Sequence, residues 1–473
     1  MALVRRLTFI VLLSIVIFVV VSDKVRMFED SGPQSRPTAH QSVIALDLLA
    51  KTFFIVEALS TIQRTSTNDQ LRVELEAELT RVAGQSVDGS VLGHRPGIIF
   101  GGFGDEQLAE QHLQDLACTI RQTDGVRADH IEWLATHVYG DNVFSSDLAT
   151  ELHSVLRVLD FGWYEHLVWE QFYRKVGDEG AISNERQRLV RESLPVVIGL
   201  ALLVIGLLAS GLTGVVLLTV FVICLARGRW KSRPFINEQI RAGALWETFV
   251  LYLFIFTVFG HELAVGFARL TGVSESPGLG AEVGLQLIIG VLSLTSLLWL
   301  APFLRFDGRR WGSIGMRSNG IVSDTLWGIG SYMTTLPLMV GVVLFTSLMM
   351  QFLPEFPETG HPAVGWVTDA NGWALVGIFV LACVAAPVIE EIFFRGVLFT
   401  GIRQRWGSLP AIVLSSIIFA ILHPQVPLGF LPLTMLGIVF AVLREVRGSI
   451  VPGMVAHGVN NLVAMLAITL MTR

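Results

Sequence analysis

Nine apolar runs, most of them long enough to cross a hydrocarbon core of ~30 Å, decide what this chain can become. They fall near residues 7–21, 194–226, 243–268, 282–304, 325–352, 372–394, 408–424, 428–443 and 449–471. The expected fold is all-α: a polytopic helical membrane protein with about nine transmembrane helices and a mainly helical extracytoplasmic domain. Composition agrees, because 52% of the 473 residues are hydrophobic, 16% are charged and the mean hydropathy is +0.60. Those values lie outside soluble usage.

The formal net charge of −6 conceals a division. Residues 23–193 hold 27 Asp/Glu against 16 Lys/Arg, while the rest of the chain holds 13 against 18. The acidic excess belongs to one soluble region. No basic stripe runs through it or along any helix, which excludes nucleic acid as a partner. Of the three cysteines, Cys118 lies in the soluble region and Cys224 and Cys383 lie in apolar runs, so neither a disulfide framework nor a thiolate cage is expected.

Orientation follows from the basic residues of the short loops, which favour the cytoplasm. Arg227, Arg229, Lys231, Arg233 and Arg241 share one loop, Arg305, Arg309, Arg310 and Arg317 another, Arg403 and Arg405 a third, Arg444 and Arg447 a fourth. The alternate loops carry almost none. With Arg5 and Arg6 ahead of the first run, residues 1–22 are expected to be an uncleaved signal anchor with its N-terminus in the cytoplasm. Residues 23–193 then form an extracytoplasmic domain, 194–304 a set of transmembrane helices and 305–473 a transmembrane core. This topology requires Leu194 to Ala226 to cross once, not as a hairpin. The expected location is the bacterial inner membrane.

Within 23–193, Ser42 to Leu59 and Asp69 to Val82 read as amphipathic helices, with a glycine-rich break at Gly97 to Gly104 between them and the remainder of the region. No repeat or low-complexity tract is present.

Charge inside an apolar helix costs at least ~2.5 kcal/mol on insertion scales and needs a reason. Three clusters carry such groups. In Glu390-Glu391-Ile392-Phe393-Phe394-Arg395, Glu391 and Arg395 stand four apart on one helix face and can pair, whereas Glu390 is turned about 100° away and has no partner on its own helix. A carboxylate in that position suits a general base. An interfacial Glu-Arg helix end would give the same pattern. His423, followed by Pro424, ends the run Ile412 to Leu422, as a helix-end histidine also would. His457 and Asn461 share a face of the last helix and can donate hydrogen bonds to an oxyanion, or simply to each other's neighbours across helices. Jointly, a glutamate, two histidines and an asparagine on three C-terminal apolar segments supply what water-mediated peptide hydrolysis needs.

E-E-x-x-x-R, F-x-x-x-H and H-x-x-x-N, in this order and each on its own helix, resemble the intramembrane family of type II CAAX prenyl endopeptidases and bacteriocin-processing, abortive-infection-like proteases. The Arg309 to Arg317 loop is also similar to members of that family. The resemblance spans roughly residues 305–473 and leaves 1–193 unexplained. It implies that Glu390 and His423 activate water, that His457 and Asn461 stabilise the oxyanion, and that Glu391 and Arg395 support them. The implied substrate is a membrane-associated protein or peptide, with a prenylated CAAX chain as one candidate. A non-catalytic scaffold, or an immunity or accessory protein with the same fold, is the competing reading.

A metal is a separate question. His423, His457 and Glu390 supply a His/His/carboxylate donor set suited to zinc, yet His261-Glu262-Leu263-Ala264-Val265 lacks the second histidine of a zincin helix. The preferred mechanism requires no cofactor, with zinc as the alternative. Gly102-Phe103-Gly104-Asp105 matches an aspartyl-protease signature but lies in the soluble region and reads as a turn. No serine occupies a nucleophile setting. One tension is built into this reading: a helix 408–424 starting at the cytoplasmic surface carries His423 roughly 20 Å deep, while Glu390 ends its run near that surface.

Overall fold

The computed structural model describes residues 9, 11–17, 46, 50, 51, 53–55, 57, 58, 75, 79, 94–140, 148–159, 161–229, 240–260, 262–263, 279–300, 311–350, 363, 366–367, 370, 372–423, 425 and 429–472. Among the described residues every regular element is helical. The chain divides into two compact units, one of Met1–Arg36 with Leu202–Thr469 and one of Pro37–Ala201 with Leu470–Arg473.

The second unit contains α1 (Arg95–Phe103), α2 (Glu106–Ile120), α3 (Gly125–Leu134), α4 (Leu148–Leu159), α5 (Glu165–Val176) and the start of α6 (Glu179–Ala226). Apolar spacing sets its faces: Leu152, Val155, Leu156 and Leu159 bury one stripe of α4. Asp124 caps α3 by accepting the Arg127 amide at 3.0 Å. His166 on α5 stands between Glu185 and Glu192 of α6, at 2.5 and 3.1 Å. The stretch expected as a glycine-rich break is instead mostly helix, since α1 runs through Gly97 to Phe103. The glycines are there for close packing. A Cβ on Gly97 would lie 2.9 Å from Leu113 Cγ, and one on Gly101 would enter the Tyr139 ring. Only Gly104, at φ +89°, breaks the helix, so the Gly102-to-Asp105 signature is the end of α1 and its turn into α2. Most of Asp69 to Val82 lies outside the described residues.

The first unit holds the remainder of α6, then α7 (Ala242–Leu253), α8 (Leu279–Ser293), α9 (Ile321–Met350), α10 (Gly372–Trp406), α11 (Ser408–Ile421), α12 (Phe430–Arg447) and α13 (Val451–Thr472). Six helices among the described residues are long and apolar enough to cross a membrane. They make the chain a multi-pass integral membrane protein. The run Leu194 to Ala226 is one uninterrupted helix. Of the first run, only residues 9 and 11–17 are described, and α11 is a shorter apolar helix of 14 residues.

The depth conflict disappears in the hairpin of α10 and α11. The apolar run ends near residue 394, but the helix continues to Trp406. Burial allows this, because Ile392, Phe393, Phe394, Val397, Leu398, Phe399 and Ile402 all face the protein interior. Glu390 therefore lies about 24 Å from the C-terminal end of α10 at 1.5 Å per residue. After Gly407 (φ +85°) the chain returns as α11 and climbs about the same distance to His423. Arg403 ends α10 in a paired contact with Glu445 of α12, at 2.6 and 2.9 Å, and Ser408 joins the same carboxylate at 2.8 Å.

Two π turns widen α10, at Leu381–Ala385 and Ile392–Leu398. The first precedes Pro387, whose missing N–H leaves a carbonyl four or five residues back without its helical donor. Asn461 fills that role: its Nδ2 donates to the Ala382 carbonyl at 2.8 Å. The second π turn is met by Arg444, whose Nε donates to the Arg395 carbonyl at 3.3 Å and whose Nη2 donates to Ser313 O at 3.1 Å. Arg444 thus holds the protein together from a buried position at 4% exposure, although its place in the sequence suggests only a loop charge.

Candidate active site

Glu390, Glu391 and Arg395 come from α10, His423 from the residues just after α11, and His457 and Asn461 from α13. Antiparallel pairing of α10 with α11 and close approach of α13 bring them together. The approach is tight. A Cβ on Gly458 would stand 2.6 Å from the Cys383 carbonyl, and one on Gly453 would stand 2.8 Å from Glu391 Oε2.

Glu390 Oε2 lies 3.9 Å from Nε2 of His423 and 3.9 Å from Nε2 of His457. Both separations exceed direct hydrogen bonding. The His423 ring is oriented by Nδ1, which donates to the Phe419 carbonyl at 2.6 Å. A carbonyl can only accept, so Nδ1 carries a proton; in the neutral ring that leaves the lone pair on Nε2, which faces Glu390. On the other side His457 Nδ1 faces Glu391 Oε1 at 3.4 Å.

The expected Glu391-Arg395 pair is present at 3.1 Å with both side chains wholly buried. Further contacts hold the guanidinium. It lies 4.4 Å from the Phe419 ring and 5.2 Å from the Phe440 ring, and Nη2 donates to Gly437 O at 3.3 Å. Each of those rings also contacts a histidine: Phe419 meets His423 with centroids 4.4 Å apart, and Phe440 stacks on His457 at 5.1 Å and 21°. The buried arginine is thereby the middle of a stack that holds both imidazoles.

All four residues expected to be catalytic line one cavity of about 410 Å³. Its walls are otherwise largely apolar, with Tyr252, Phe256, Phe419 and Phe440 among them. Sequence reading passed over Gln286, Gln425 and Asn460, which line the same cavity. Gln286 had a usable signal, being a carboxamide within an apolar run. Pro387 in the middle of a spanning run was the signal for the first π turn. His261 lies outside the described residues, and Glu262 lies apart from this cavity's lining. Among the described residues no group of three His, Cys, Asp or Glu side chains could hold a metal ion.

Helical membrane architecture with a glutamate and two histidines converging on one largely apolar cavity defines a class, that of polytopic membrane proteins with a polar cluster between their helices. Residues 372–463 match the model of the family described as type II CAAX prenyl endopeptidase Rce1-like, so the stretch from α10 into α13 is similar to that family. The match contains every residue of the cluster, in keeping with the resemblance drawn from the motifs. No curated protein and no solved structure matches the chain.

Proposed function

We propose that this protein is an intramembrane endopeptidase that hydrolyses a peptide bond of a membrane-associated substrate with water activated by Glu390 and His423. One observation carries this reading: Glu390 Oε2 and Nε2 of His423 face each other at 3.9 Å. A water placed about 2.8 Å from each donates one hydrogen to either side and keeps its lone pairs for attack. Glu390 takes the proton as the oxygen adds to the scissile carbonyl, and later delivers it to the leaving amine.

The tetrahedral oxyanion needs donors. His457 offers Nε2–H, with Glu391 Oε1 standing 3.4 Å from its Nδ1. Asn461 offers the amide hydrogen that the Ala382 carbonyl does not take. No step is assigned to a metal. The apolar walls favour a lipid-modified or membrane-embedded chain, and a prenylated CAAX peptide and a bacteriocin-like leader peptide are the two substrates to try.

Purified protein in lipid nanodiscs is incubated with each peptide, and cleavage is followed by mass spectrometry. Cleavage of either by the wild-type chain, abolished by Glu390→Gln, is the expected result. Folded wild-type protein that cleaves neither would leave the fold as a scaffold and remove the enzymatic reading.

A further inference from the structure

Three carboxamides interrupt the apolar walls of the cavity: Gln286, Gln425 and Asn460. None of them is assigned a part in the hydrolysis. Gln286 sits on α8, inside a helix apolar enough to span, and its side chain is exposed there. A carboxamide at such a place is costly unless something uses it. Gln425 lies between His423 and α12, and its Oε1 is buried without a hydrogen-bond partner. A buried amide oxygen left unpaired lowers stability, and a ligand N–H would recover that loss. Asn460 differs, since its Nδ2 already donates to Asn461 Oδ1 at 3.3 Å.

We propose that Gln425 and Gln286 form a subsite that reads the main chain of an extended substrate segment next to the scissile bond. Gln425 Oε1 accepts a substrate backbone N–H, and the Gln286 carboxamide pairs with a second peptide group of the same segment. The proposal rests on the endopeptidase reading and names its substrate more closely.

The chemistry of the carboxamide supports this choice of ligand. It carries one acceptor and one donor group, as a peptide unit does, so it matches a main chain and ignores the side chains. A helical substrate has already paired its backbone groups and gains nothing from such partners. An unwound one entering apolar walls would leave those groups unpaired, at a cost the two glutamines remove. A lipid chain alone offers no N–H. The subsite therefore recognises the peptide part of a substrate, and it selects segments that have come out of helix.

The test measures binding, with Glu390→Gln as the parent so that no probe is cleaved. The probes are a fluorescent farnesylated CAAX peptide, its singly N-methylated analogues, and farnesyl methyl sulfide, which has no N–H, all offered to the full chain in nanodiscs. One N-methylated analogue should bind roughly tenfold more weakly than the parent peptide, the worth of one buried hydrogen bond. Adding Gln425→Met, which keeps the volume, should erase that difference, whereas Gln425→Glu, which keeps the acceptor, should retain it. Gln286→Met should weaken every peptide several-fold and leave farnesyl methyl sulfide unchanged. If Gln425→Met fails to accumulate, Gln425→Asn withdraws the oxygen by one methylene and should erase the difference in its place. An N-methylation penalty that survives these changes, or no penalty at any position, overturns the subsite. Cleavage of the peptide by wild-type protein together with equal binding of all analogues removes the subsite alone. Neither binding nor cleavage removes the endopeptidase reading with it.

Discussion

His457 Nδ1 stands 3.4 Å from Oε1 of Glu391, the same carboxylate oxygen that lies 3.1 Å from Nη1 of Arg395. One wholly buried carboxylate thus faces a cation on its own helix and an imidazole on another. Glu391 is more than the partner that makes Arg395 tolerable in a membrane. It also bears on the orientation of a ring that lines the cavity.

Glu391→Gln should accordingly lower abundance and activity together. Removing one member of a buried ion pair costs about 3–5 kcal/mol, because the other charge stays behind. Arg395→Ala should behave alike, whereas Glu390→Gln should leave abundance unchanged, since Glu390 Oε2 has no hydrogen-bond partner to lose. Thermal unfolding in detergent with quantitative blotting decides this. A stable, inert Glu391→Gln beside an active Glu390→Gln would reverse the two roles.

Phe440→Leu tests the stack around Arg395. Leucine retains bulk but removes one aromatic face from the guanidinium and the ring on which His457 lies. A desolvated cation–π contact contributes about 2 kcal/mol. The variant should melt several degrees lower and cleave more slowly, with the loss in kcat. An unchanged rate would mean that Phe440 only fills space.

Gly458→Ala addresses the contact between α13 and the first π turn. The added carbon would sit 2.6 Å from the Cys383 carbonyl, which the backbone cannot accept without separating the helices. Separation would stretch the bond from Asn461 to Ala382. The expected outcome is a loss of activity larger than the loss of stability, measured on the same preparation. Wild-type cleavage by Gly458→Ala would show that α13 can shift without consequence.

Much of this cluster was readable because it rests on helical spacing. Glu391 with Arg395 and His457 with Asn461 are each four apart, and that spacing alone puts each pair on one face. What spacing could not give is the level at which elements meet. Arg395 looked like the end of a spanning run, since a buried arginine is rare; three aromatic rings and Glu391 make it an interior residue, and α10 continues by three more turns. Arg444 misled in the same way, its two carbonyl acceptors being 49 and 131 residues away. Gly97 to Gly104 read as a break because glycine permits one, but at Gly97 and Gly101 it serves close packing inside a helix. Gln425 gave no signal, because its buried, unpaired oxygen is a property of the fold.

The topology is open to direct test through Cys118, which is exposed on α2. With Arg5 and Arg6 ahead of the anchor and arginines in alternate loops, residues 23–193 should face away from the cytoplasm. An impermeant maleimide should label Cys118 in intact cells, and Cys118→Ser should abolish the signal. Labelling only after the cytoplasmic face is opened would invert the orientation.

The roles of the cluster separate by the step at which each acts. Glu390→Gln cannot accept a proton from water, and His423→Ala removes the nitrogen that faces Glu390, so both should abolish cleavage. Asn461→Ala deletes a donor to charge that develops only in the transition state, for which the loss is about a hundred to a thousandfold with His457 still in place. It also deletes the bond to the Ala382 carbonyl, so this variant should lose stability as well, by about 1–3 kcal/mol. A rate reduced but measurable, with a lowered melting temperature, is therefore the signature of Asn461. Strong chelators should leave the wild-type rate unchanged, because proton transfer is assigned to Glu390 and oxyanion stabilisation to His457 and Asn461. Complete loss of activity in chelator, restored by zinc, would turn Glu390 and the histidines into ligands and sink this mechanism.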